Sequence, residues 1–190
     1  LSGNVAQQEN GDMALHLNSD SLLLNYDRWQ INPANNITIG TGITAKDFIL
    51  SQAGQQLSIQ SLGTGADSPL EVKLTAFQLG TLTSFLQADS ALVDGVANGT
   101  ITFTNLTQQP LFTGGLTITD LAVQRDTIGN VNAQVSSNGS TYTTNTTITG
   151  RGNDIALTGS ITPRENDMAL DLDLAIKRFA LNTMRGAMKD

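Results

Sequence analysis

The stretch from Met168 to Lys177, MALDLDLAIK, constrains the fold more tightly than any other part of the chain. Met168, Leu170, Leu172, Leu174 and Ile176 share one parity, while Ala169, Asp171, Asp173, Ala175 and Lys177 share the other. An extended strand, whose side chains alternate between two faces, sorts such a sequence into one apolar and one polar surface. At about 3.3 Å per residue that strand runs roughly 30 Å. The same period recurs at Ile101 with Phe103, Leu116 with Ile118, Val131 with Ala133 and Val135, and Ile155 with Leu157 and Ile161. Shorter runs occupy the first part of the chain, at Leu22 to Leu24, Trp29 with Ile31, Ile37 with Ile39, Phe48 with Leu50, Leu57 with Ile59, and Val72 with Leu74.

Gly and Asn punctuate these runs. Gly114-Gly115, Gly129-Asn130, Asn138-Gly139 and Gly152-Asn153 can supply the positive φ that tight hairpins require, so the spacing predicts consecutive strands pairing antiparallel as a meander. The alternation slips at Asp120, where Leu121 and Val123 fall into the opposite phase, and again between Phe103 and Leu106, which predicts bulges. Leu79, Leu82, Phe85 and Leu86 sit at helical spacing, as do Leu181, Met184 and Met188, so one or two short helices are expected there.

The chain also repeats itself. ENGDMALHL, Glu9 to Leu17, returns as ENDMALDL, Glu165 to Leu172, once Gly11 is removed. The only residue that then differs is His16 against Asp171, and upstream Gly3 and Val5 answer Gly159 and Ile161. A fainter echo joins Phe77-Gln-Leu79-Gly-Thr81-Leu82 to Phe179-Ala-Leu181-Asn-Thr183-Met184. Repetition of this kind belongs to units that bury an apolar face by stacking on neighbours. Residues 1–190 therefore read as a single window of a longer repetitive β-protein, with Gly3–Leu17 and Gly159–Leu172 as its matching ends.

Composition removes several classes of function. Without Cys there is no disulfide framework and no thiolate metal site. A net charge of −7 with scattered Lys and Arg argues against nucleic acid, which needs clustered cations. No apolar run approaches the roughly 20 residues of a membrane span. His16 faces away from Leu15 and Leu17 and has no Ser, Cys or second His to form a catalytic pair, so it reads as a solvent-facing polar residue. Asp171 and Asp173 share a strand face and could bind calcium or act as a carboxylate pair, but their alternation with Leu marks a solvated face. GTGADSP from Gly63 lacks the Lys and following helix of a phosphate loop. The sequons at Asn36, Asn98, Asn105, Asn138 and Asn145 follow from a composition rich in Asn and Thr. The chain is not expected to be an enzyme and calls for no cofactor or metal.

What remains is an apolar face without an obvious partner. Pro110-Leu-Phe-Thr-Gly114-Gly-Leu116-Thr-Ile118-Thr-Asp120-Leu121-Ala-Val123, Ile128-Gly129-Asn-Val131 and Leu157-Thr-Gly159-Ser-Ile161 together resemble the repeat of the TamB-like translocation and assembly proteins, which group with the AsmA-like bridge proteins. The likeness covers mainly residues 95 to 176. It implies an all-β, elongated antiparallel meander curved into a taco- or groove-shaped sheet with an apolar concave face. It also implies a periplasmic location, as part of a protein anchored in the inner membrane elsewhere in its chain. Its partners would be phospholipid acyl chains moving between the inner and outer membranes, with an outer-membrane β-barrel assembly protein as a second partner. On that reading Ile118, Val131, Ala133, Val135, Ile155, Leu157, Met168, Leu170, Leu172, Leu174 and Ile176 line the lipid groove. Three other readings compete: a structural stalk or adhesin-like repeat with a closed apolar face, a chaperone edge that templates strands of outer-membrane proteins, and, ranked lowest, a polysaccharide lyase.

Overall fold

The computed structural model describes residues 2–18, 22–24, 27–83, 93–124, 126–164 and 167–181. Their order is β1 (Gly3–Gln7), β2 (Met13–Leu17), β3 (Leu22–Leu24), β4 (Asp27–Ile31), β5 (Asn36–Ile39), β6 (Ile43–Lys46), β7 (Phe48–Gln52), β8 (Gln55–Ser61), β9 (Leu70–Gln78), α1 (Leu79–Thr83), β10 (Val93–Thr104), β11 (Leu111–Val123), β12 (Asp126–Asn138), β13 (Thr141–Gly150), β14 (Asn153–Pro163) and β15 (Met168–Arg178). A four-stranded sheet has the order β1-β2-β5-β6, and an 11-stranded sheet has the order β15-β14-β13-β12-β11-β10-β9-β8-β7-β4-β3. The fold is thus an all-β, antiparallel meander, as the period-two patterning requires. The larger sheet departs from chain order at the step from β4 to β7, because β5 and β6 leave for the smaller sheet, where β5 lies next to β2. The chain divides into two compact units, Leu1–Ala76 with Thr100–Phe112, and Phe77–Gly99 with Thr113–Asp190.

The first unit has a closed core. Trp29 and Ile31 lie on one face of β4, and pairing of Leu22 with Trp29 and of Ile31 with Leu50 brings β3 and β7 onto that face. It continues through Leu57 and Ile59 of β8 to Leu74 and Val72 of β9. Leu22, Trp29, Ile31, Phe48 and Leu50 are all buried there, and Ala45 of β6 is buried as well. The smaller sheet is held to its surroundings by Asn35, which is also buried. Its side-chain Oδ1 accepts from Leu17 N at 2.9 Å, and its Nδ2 donates to Leu17 O at 2.8 Å and Asn32 O at 2.7 Å. Asn35 therefore continues the ladder of β5 along β2 with its side chain where the backbone turns away. Replacing it with Leu keeps the branched shape but strands the Leu17 N–H and C=O, and at least about 2 kcal/mol of stability should be lost by denaturant titration.

The second unit is built from long strands in simple register. β12 turns into β13 through Gly139 and Ser140, and β13 into β14 through Arg151 and Gly152. Arg151 and Gly152 have φ of 54° and 88°, the conformation of the hairpin turn whose twist matches the flanking strands. Two pairs expected to be turns are not. Gly114-Gly115 lies inside β11 and Gly129-Asn130 inside β12. Gly129 has φ 141°, and a Cβ there would overlap the Thr149 carbonyl, so this glycine serves close strand approach. The bulge expected at Asp120 is present: register shifts between Ile118 and Leu121, Asp120 has φ 51°, and its N–H donates to Asn130 Oδ1 at 2.9 Å. The slip after Phe103 is instead the end of β10, followed by a turn at Asn105 with φ 53°. α1 meets the expected helix at Leu79; Phe85, Leu86, Met184 and Met188 lie outside the described residues.

Both copies of the repeated phrase form hairpins with one register. In the first, Gly3 pairs with Leu17, Val5 with Leu15 and Gln7 with Met13. In the second, the equivalent Gly159 pairs with Leu172, Ile161 with Leu170 and Pro163 with Met168. Even the closing bond corresponds, Gln8 N to Asp12 O at 2.8 Å and Arg164 N to Asp167 O at 2.9 Å. Glu165 and Asn166 lie outside the described residues.

Candidate functional site

In an antiparallel ladder directly opposed residues share a face. Starting from β15, Met168, Leu170, Leu172, Leu174 and Ile176 oppose Pro163, Ile161, Gly159, Leu157 and Ile155 of β14. Ile155 opposes Ile148 of β13, which opposes Val131 of β12, which opposes Ile118 of β11. Val135 and Ala133 follow on the same side, opposite Gly114 and Leu116. All eleven residues singled out from the sequence therefore lie on one face of the second unit. The other face carries Thr113, Thr117, Asn132, Gln134, Ser136, Thr143, Asn145, Thr147, Thr158, Ser160, Asp171 and Asp173, with Ala156, Ala169 and Ala175 among them. Its hydroxyls pair across strands, as between Ser136 Oγ and Thr143 Oγ1 at 2.6 Å.

The apolar face is open at its β15 end. The five apolar side chains of β15 are between 41% and 60% exposed, while Ile118, Val131, Ala133, Val135, Ile155 and Leu157 are half-buried. Among the described residues of this unit the buried apolar side chains are Phe77 and Ala97, neither on β11 to β15. These strands therefore carry two solvent-accessible faces, one oily and one wet.

Leu116, Ile161, Ile148 and Tyr142 also belong to the face, outside the eleven. Leu116 and Ile161 follow from the alternation already visible in β11 and β14. Ile148 and Tyr142 belong to β13, TYTTNTTITG, where apolar residues are too sparse to reveal a period. Only counting back from the Asn138-Gly139 turn assigns them. β13 also places Thr144 and Thr146 on the apolar side, with their hydroxyls 2.9 Å apart. The oily surface is thus divided by a short polar stripe, which the sequence reading did not anticipate.

His16 is half-buried rather than solvent-facing, because its Nδ1 donates to the Asn35 carbonyl at 2.6 Å. Asp171 and Asp173 stand exposed, opposite Ser160 and Thr158. The described residues contain no group of three or more His, Cys, Asp or Glu able to hold a metal ion. Gly63 to Pro69 is a loop closed by Leu62 N to Pro69 O at 2.8 Å and followed by a strand, not the helix a phosphate loop requires. A cleft of ≈ 540 Å³ in the first unit, lined by Asn36, Thr44, Lys46, Gln60, Ser61 and Thr64 among others, holds one cation and no carboxylate or imidazole to pair with it. No helix among the described residues is long and apolar enough to cross a membrane. No family model, curated protein or solved structure matches the chain.

Proposed function

We propose that this chain is a non-enzymatic, lipid-holding segment of a periplasmic protein anchored in the inner membrane, and that the apolar face of β11 to β15 receives phospholipid acyl chains on their way between membranes. The observation that carries the reading is the sorting of the second unit into one face of Leu, Ile, Val and Met and one of Thr, Asn, Ser and Asp. Each methylene kept out of water is worth about 0.8 kcal/mol, so even a partial covering of one acyl chain gains several kcal/mol. Because the attraction is non-directional, a chain can slide along such a surface without a defined pocket. The wet face needs no partner at all. An outer-membrane β-barrel assembly protein is the second partner on this reading.

A photo-crosslinking side chain at Leu172 should yield lipid adducts in cells, and one at Asp173, on the opposite face, should not. Equal labelling, or labelling at neither site, overturns the proposal. Stability provides a second check. Leu172 is 41% exposed, so Leu172→Asp should cost no more than about 1 kcal/mol by thermal denaturation while abolishing adducts at neighbouring positions such as Leu170. A face sealed by a second layer would instead bury the carboxylate and lose several kcal/mol.

A further inference from the structure

We infer that the outer edge of β15, which no described strand occupies, is a docking site for one antiparallel strand of the pattern Asn-x-Ile-x-Ile, the pattern that β5 presents to β2. The argument rests on the two matching hairpins. In each, hydrogen-bonded and non-hydrogen-bonded pairs alternate. The bonds Gln8 N to Asp12 O and Asn18 N to Ser2 O fix the even-numbered pairs of β1 and β2 as the bonded ones. The backbone groups of Met13, Leu15 and Leu17 therefore point away from β1. There they meet β5: Met13 opposes Ile39, Leu15 opposes Ile37, and the Leu17 N–H and C=O bond to the side-chain amide of Asn35.

The same reasoning applies to β14 and β15. The bond from Arg164 N to Asp167 O fixes Ala169, Asp171 and Asp173 as the residues bonded to β14. The N–H and C=O groups of Met168, Leu170 and Leu172 then point outward, in the positions of Met13, Leu15 and Leu17. β15 ends its sheet, so no described strand occupies that side. The side chains that Ile39 and Ile37 would cover, Met168 and Leu170, are 57% and 60% exposed. In the first copy Met13 is 43% exposed even with β5 in place, and Leu15 is half-buried. A long edge strand with an apolar side is a ready template for strand addition. The first copy also specifies the direction, the register and the residue types of the strand that fits: Ile opposite Met168, Ile opposite Leu170, and an Asn amide closing on Leu172.

The test uses the 190-residue chain and the peptide NPANNITIGT, the sequence of Asn32 to Thr41. Excess peptide is expected to slow amide exchange at Met168, Leu170 and Leu172 at least about tenfold, since the first two N–H groups would gain a bond to the peptide backbone and the third one to its Asn side chain. The same peptide N-methylated at Ile37 and Ile39, which removes the donors facing the protein, should have no effect. Leu170→Pro removes an outward N–H, which an edge strand tolerates on its solvent side, and should abolish the slowing at Met168 and Leu172 while Asp171 keeps its protection. Three outcomes overturn the inference: no slowing with the plain peptide, equal slowing with the N-methylated one, or slowing confined to Met13 and Leu15, which would mean exchange with β5 instead. Slowing that rises with protein concentration in the absence of peptide also overturns it, and assigns the edge to a second copy of this chain.

Discussion

Gly159→Val is expected to detach β15 from β14. Gly159 has φ 137°, and a Cβ at that position would overlap the Asp171 carbonyl and come within 2.9 Å of Leu172 Cα. Both contacts are main chain, so no side chain can swing aside to make room. Backbone strain and main-chain overlap together should cost about 3 kcal/mol or more, a fall of roughly 6–12 °C in melting temperature for a chain of this size. An edge strand can also open locally, and the loss then shows first as faster amide exchange at Ala169, Asp171 and Asp173. Gly3 supplies the control. It holds the equivalent place against His16 and Leu17, yet its nearest main-chain atom is His16 O at 2.7 Å and its φ is ordinary. A Cβ at Gly3 also meets main chain, so Gly3→Val should destabilise too, but by about 1 kcal/mol less, because no positive φ is strained there. Equal losses at the two sites would mean that the positive φ of Gly159 carries no strain.

Trp29→Ala should have an effect at least as large, in the first unit. Trp29 is 1% exposed and sits between Leu22 and the Ile31, Leu50 and Phe48 row. Truncation to Ala removes the largest contribution to that core and leaves a cavity, at a cost of about 3–5 kcal/mol. Calorimetry should register a fall of roughly 6–20 °C. Trp29→Phe, which retains most of the buried area, should recover more than half of it.

These two sites differ in how far the sequence disclosed them. Gly159 stands inside Leu157-Thr-Gly159-Ser-Ile161, a run whose alternation is uninterrupted, so the strand was legible although the positive φ was not. Strands β14 and β15 are readable because an apolar residue falls at nearly every second position, with Gly159 as the one gap between Ile155 and Ile161. β13 is not, because threonine serves either face of a strand equally well. Gly114-Gly115 and Gly129-Asn130 look like turns in the sequence because local chemistry alone cannot separate a glycine that bends the chain from one that lets a neighbouring backbone come close. The closed core around Trp29 was hidden for another reason. Strands of three to five residues carry one or two inward side chains each, too few to establish a period, and their burial is decided by non-local pairing such as that of β4 with β7. His16 and Asn35 illustrate the same limit: both are fixed by partners 18 or 19 residues away.

The two matching hairpins differ in length by one residue, and the whole difference falls between the strands, where Gln8 to Asp12 in the first corresponds to Arg164 to Asp167 in the second. A strand keeps a binary count: one residue inserted within it would exchange its oily and wet sides from that point onward. A connection keeps no such count. Gly11 could therefore come or go without disturbing Val5 and Leu15 on one side or Ile161 and Leu170 on the other. Within β11 the bulge at Asp120 does the complementary job, absorbing an odd residue so that Ile118 and Leu121 remain on one side. The single-residue differences between these hairpins and within β11 thus fall where parity has no meaning or is reset.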